Sequence, residues 1–264
     1  MAVSLIESCY ELEAIDYWAR ENLLTKYAIS PRKLITIAKS ILGEKKYLEV
    51  LKRTLQIWPE RKGKLPNLFN NLLALNAIYI TTNIDDHFSG LFEKKDVHFE
   101  QNDFSSSVLK PKNIIHLHGI INNPHSLVLT IDEYVERYQN NHFRKFLEYI
   151  FFNEDYCFLF VGYGVDEMEI IDFMIEKYST GPETLKKLIY RYYILLPFFQ
   201  NEETLMRYEQ FYFDQINMTV IPYAINAKGY DQLNEVIATW REEFEKQGQR
   251  DEFYIFNKII EKNL

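Results

Sequence analysis

The chain has 264 residues, 47% apolar and 26% charged, with only nine glycines and eight prolines: an ordered globular protein long enough for a full hydrophobic core. Its net charge of −8 argues against direct nucleic-acid binding, because the basic clusters at 59–64 and 185–187 are too short to track a phosphate backbone. The two cysteines, Cys9 and Cys157, form no CxxC pair and fit a reducing, cytoplasmic compartment; no leader-like pattern or long apolar run is present, so a soluble protein without a membrane span is expected.

The first part of the chain reads as helical. Residues 15–28, 30–42 and 46–57 carry apolar positions at helical spacing, and Ser30 followed by Pro31 makes an N-cap and first-turn pair. Pro66 opens a fourth helix, PNLFNNLLALNA.

The texture then changes to short β-branched or aromatic runs at 77–82, 113–118, 157–162, 192–197 and 218–223. Helical stripes at 143–152, 166–178 and 203–213 lie between them, and two closing helices follow at 230–247 and 253–264, the last suited to contact another subunit. Continuous apolar strands alternating with helices predict a doubly wound parallel α/β sheet, Rossmann-like, with a helical N-terminal subdomain. The expectation is one domain over 1–264: a mainly helical part (1–65), the Rossmann-like core (66–225) and C-terminal helices (226–264).

Ligands bind such sheets outside the carboxyl ends of the strands. The residues there are Asn83, Ile84 and Asp85 after the first strand, His118 and Gly119 after the second, and Gly162, Tyr163 and Gly164 after the third. Asn and Asp at a strand end also serve as ordinary caps and turn formers. Their spacing of two would instead bring both to one pocket if strand geometry persists. His116 and His118 are equally available as titratable groups, but Gly119 permits a ligand or a backbone to approach beside His118. The GYG turn precedes an acidic helix start, where Asp166 and Glu167 suit the helix dipole as well as a nucleotide. No metal-ligand spacing, GxSxG turn or P-loop occurs, and no metal site is expected.

Taken in order, ITTNIDDHF, IIHLHGIINNPHSLVLTIDEYVERY and FLFVGYGVDEMEI resemble the sirtuin-like domains of bacterial defence proteins, over roughly residues 66–225. The middle stretch, with His-Gly, Asn123-Pro124, SLVLT and Tyr134, carries most of the likeness. The resemblance implies a domain that binds NAD at the carboxyl edge of its sheet and hydrolyses it to nicotinamide and ADP-ribose, starving an infected cell. It makes Asn83 the asparagine of a TTN-x-D motif, Asp85 its aspartate and His118 the histidine of an HG motif. Gly162, Tyr163 and Gly164 match the turn near the adenosine half, and Asp166 an acidic position just beyond. In these roles His118 is the base, Asn83 orients water or the nicotinamide ribose, and Asp85 fixes the loop or the ribose.

Two features depart from the family pattern. The four-cysteine zinc module of protein-deacylating sirtuins is missing, so no structural zinc is expected and plain NAD hydrolysis is favoured over deacylation. The GAG-x-S phosphate loop is also missing; MAVSLIES, with Ala2 and Ser4, reads as its worn remnant, and DYW at 16–18 sits where the family often places a tryptophan. A truncated start, a diverged relative or a subunit completed by its neighbour are the corresponding expectations. The family implies a homo-oligomer and a sensor in trans, such as a HerA-type ATPase. The rival reading is a catalytically silent nucleotide-binding or scaffolding subunit.

Overall fold

The computed structural model of the chain describes residues 1–26, 30–55, 65–153, 155–162, 169–180 and 191–247. The chain divides into two compact units, Met1–Lys62 with Asn76–Phe146, and Gly63–Leu75 with Leu147–Leu264.

The first unit opens with three helices: α1 (Ala2–Glu11), α2 (Tyr17–Lys26) and α3 (Pro31–Thr54). Segment MAVSLIES is thus helix and not the remnant of a glycine loop. The reason lies in spacing: Ala2, Leu5, Ile6 and Cys9 fall on one helical face and bury it in a cluster with Leu34, Ala38 and Leu51 of α3. The helices expected over 30–42 and 46–57 form one run, broken at Gly43, whose φ of 68° and ψ of 163° lie outside helical space. A glycine tolerates that left-handed φ at little cost.

The sheet of this unit is β1 (Tyr79–Thr81), β3 (Ile114–His116) and β2 (Val97–His98), parallel throughout in the order β1-β3-β2. Tyr79 pairs with Ile114 and Thr81 with His116, so β1 and β3 end level with each other. All three residues of the central β3 are buried, as a strand covered on both faces requires. The two-residue β2 is too short to leave a periodic signal. Helix α5 (Ile131–Gln139) was not among the expected elements; its start is fixed by Glu133, whose Oε2 accepts the N–H groups of Leu129 (2.7 Å) and Thr130 (2.8 Å). Lys39 donates to the other Glu133 oxygen at 2.7 Å, tying α5 to α3.

Helix α6 (Asn141–Phe151) carries the chain from the first unit into the second. The second unit holds α4 (Leu65–Leu73), β4 (Cys157–Phe160), α7 (Glu169–Thr180), β5 (Arg191–Phe198), α8 (Glu203–Asp214), β6 (Met218–Ala224) and α9 (Gln232–Gln247). Its strands form a second parallel sheet in the order β4-β5-β6. The core gathers Leu195 of β5, Ile221 and Tyr223 of β6 and Leu233, Ile237 and Trp240 of α9. Asn71 of α4 donates to Asn234 and accepts from Arg241, pinning α4 to α9. The expected closing helix at 253–264 lies outside the described residues.

The architecture is therefore α/β with parallel strands, the Rossmann-like class expected, its described strands hydrogen-bonded as two three-stranded sheets. Among the described residues no helix is long and apolar enough to cross a membrane.

Candidate active site

The chain leaves β1 through a turn built by its own side chains. Asn83 N–H donates to Thr81 Oγ1 (3.0 Å), which bends the backbone out of the strand and leaves Asn83 exposed. Ile84 then turns inward, 5% exposed, and its carbonyl accepts Ile121 N–H at 2.7 Å. Asp85 Oδ1 accepts the N–H of His87 (3.0 Å), an Asx turn, and Asp86 accepts from Asn122 Nδ2 (2.7 Å). The ordinary turn-forming role open to these carboxylates is thus realised at Asp85. His87 closes the loop by donating from Nε2 to the Leu55 carbonyl at 2.9 Å.

Beside this loop stand two histidines, His116 at the end of β3 and His118 in the turn that follows. His116, 1% exposed, hydrogen-bonds through Nδ1 to the backbone carbonyl of Asn83 at 2.9 Å. His118, 3% exposed, lies among the side chains of α5, with Nδ1 3.2 Å from Tyr134 Oη and Nε2 3.0 Å from Tyr138 Oη. The tyrosines stand one helical turn apart, their rings stacked at 5.9 Å and each set edge-on to the imidazole. Arg32 of α3 covers the Tyr134 ring, with Cζ 3.6 Å from its centroid. Both tyrosines are half-buried.

Burial chiefly, with the Arg137 and Arg32 charges assisting, pushes His118 down to about 3, while the Thr82 carbonyl pulls weakly the other way. The imidazole is therefore neutral at physiological pH and offers one donor and one acceptor. His116 is also lowered, again by burial first, with the Asn83 carbonyl and the Asp85 and Asp86 charges opposing.

Gly119 is required by its surroundings. Its φ is +77°, and a Cβ there would stand 2.1 Å from the Ser126 carbonyl oxygen. The close approach expected beside His118 is thus made by the chain's own backbone. Arg137 reinforces the segment by donating to the carbonyls of Leu117 (3.1 Å) and Ser126 (3.2 Å).

Asn83, Asp85 and His118 fall at the carboxyl edge of the first unit's sheet, in the turns that follow the adjacent strands β1 and β3. Gly162 follows β4 in the second unit, exposed, with φ of +66° and nothing among the described residues within 4 Å of where a Cβ would stand. Tyr163, Gly164 and Asp166 lie outside the described residues. Sequence reasoning did not anticipate the roles of His116, Tyr138 and Arg137. The i, i+4 repeat of tyrosine in YVERY was the available signal for the pair that brackets His118.

Residues 77–221, more than half of the chain, match the family profile described as a SIR2-like domain. The chain belongs to the SIR2-like domain family. Its match begins just before β1 and ends within β6, so it takes in both sheets, the Asn83 loop and the His118 segment, while α1, α2 and α3 lie ahead of it. SIR2-like domains use NAD. The residues present suit such a ligand: an exposed amide at Asn83, a buried histidine pair behind it and a strand edge built on parallel β1 and β3. No curated protein matches this SIR2-like chain.

Proposed function

We propose that this SIR2-like chain is a NAD glycohydrolase that cleaves NAD to nicotinamide and ADP-ribose. The observation that carries this reading is the pairing of the Asn83 turn with the His118 segment at one carboxyl edge, inside the span that defines the family. Hydrolysis breaks the bond between ribose carbon and nicotinamide nitrogen, sends the electron pair to that nitrogen and leaves an oxocarbenium-like carbon for water to attack. Asn83 can both donate and accept, which suits it to orient the ribose or the water. His118 is the base for the proton released, and Asp85 holds the turn. Gly162, Tyr163, Gly164 and Asp166 are assigned to the adenosine side.

The biological setting in this reading is bacterial anti-phage defence by NAD depletion, with the single domain working as a homo-oligomer beside a sensor such as a HerA-type ATPase. The test is to incubate the purified full chain with NAD and quantify nicotinamide and ADP-ribose in equal amounts, with His118→Ala alongside. Equimolar products lost in the variant support the hydrolase.

One observation favours the alternative, a catalytically silent nucleotide-binding subunit. Both ring nitrogens of His118 are engaged by tyrosine hydroxyls and the residue is 3% exposed, so a hydroxyl has to yield before the imidazole reaches a substrate. NAD binding without turnover, unaltered by a sensor partner, would select that reading.

A further inference from the structure

His116 ends β3, two residues before the candidate base in the turn that follows, and the reaction outlined above gives it no part. Its surroundings fix its chemistry more tightly than those of His118. The partner of Nδ1 is a backbone carbonyl, which can only accept, so the neutral ring carries its proton on Nδ1. Nε2 is then a bare lone pair, fully buried and without a hydrogen-bond partner among the described residues. A buried polar atom left unpaired costs stability that an isoleucine or leucine at this place in β3 would not incur. The Nδ1 bond is what the residue provides in return, and its acceptor is Asn83, whose own N–H is held by Thr81. The backbone of this exposed asparagine is thus gripped on both sides, from within its own strand end and from the neighbouring strand.

We propose that His116 is a positioning residue for Asn83: its Nδ1–H holds the Asn83 carbonyl and so fixes the direction in which the Asn83 amide is presented. The inference rests on Asn83 contacting NAD as proposed above. Burial keeps the ring neutral, so the tautomer holding Asn83 persists through the physiological range.

Two variants separate this role from mere packing. His116→Phe keeps an aromatic volume but removes the donor. His116→Asn loses volume but places an amide N–H one bond beyond Cγ, where Nδ1 stands. On the full chain, amide hydrogen exchange over residues 82–87 should rise in His116→Phe and stay near the unsubstituted level in His116→Asn. With NAD, His116→Phe should lose on the order of a hundredfold in kcat, as a misplaced contact group does, with a smaller change in KM, and His116→Asn should recover most of it. Nitrogen-15 NMR of the unsubstituted chain should show His116 protonated on Nδ1. A proton on Nε2, or equal losses and equal exchange in the two folded variants, overturns the proposal. The NMR reading decides even if His116→Phe does not fold. A chain that consumes no NAD refutes the hydrolase while the exchange and tautomer measurements still decide His116.

Discussion

Tyr134 and Tyr138 approach opposite nitrogens of one buried imidazole, at 3.2 and 3.0 Å from His118, and reach it from a single helix. Removing either hydroxyl takes a hydrogen-bond partner from a buried imidazole, which costs about 1–3 kcal/mol. Tyr138→Phe should therefore lower the unfolding free energy by that amount in urea titration, with Tyr134→Phe comparable. A loss within ±0.3 kcal/mol, a margin of the order expected for neutral surface changes, would show that the hydroxyls do not bond His118.

The buried, depressed His118 makes stability depend on pH with a definite sign. Its folded value of about 3 lies below the ordinary 6.5, so between them the unfolded chain binds the extra proton. The contribution is complete above about 6.5 and is lost as pH falls toward about 3; His116, lowered for the same reason, acts in the same direction. Melting temperature should fall from pH 7 to 5, before most carboxylates titrate, and His118→Gln should flatten that fall. An unchanged slope in the variant would contradict the burial.

Gly119→Ala meets two penalties at once, a φ of +77° and a backbone carbonyl at 2.1 Å that no side-chain rotation can clear. Loss of soluble folded protein, or destabilisation of more than about 3 kcal/mol, is expected. Gly90→Ala, with nothing within 4 Å and no left-handed φ, should be near neutral by the same thermal melt.

Glu133 governs the helix that carries both tyrosines. Glu133→Ala removes the acceptor for the Leu129 and Thr130 N–H groups and the partner of Lys39, and should cost about 1–3 kcal/mol. Glu133→Gln retains acceptor capacity but no charge, so it should fall between the two in denaturant titration.

The sequence alone made much of this legible. The runs at 77–82, 113–118, 157–162, 192–197 and 218–223 each overlap an observed strand because parallel strands covered on both faces are continuously apolar and β-branched. TTNIDD and HLHG stand out because polar residues directly after such runs are few, and the two segments follow adjacent parallel strands. Less visible was what depended on three dimensions. MAVSLIES looked like the residue of a loop because its small polar residues matched a motif, whereas its apolar spacing answered to α3. The different surroundings of His116 and His118 are unreadable in the sequence, since the two histidines are two residues apart and only the Asn83 carbonyl and the α5 tyrosines tell them apart.

The most direct test of the account is NAD consumption by the purified chain beside Asn83→Ala, with folding of both verified by thermal melt. Asn83 is exposed, and the hydrogen bonds it makes among the described residues run through its backbone N–H and carbonyl, so the variant should fold as the unsubstituted chain does. The account predicts release of nicotinamide and ADP-ribose by the unsubstituted chain and its abolition in Asn83→Ala. Equal turnover in the two would contradict the assignment of this sheet edge as the site of NAD hydrolysis.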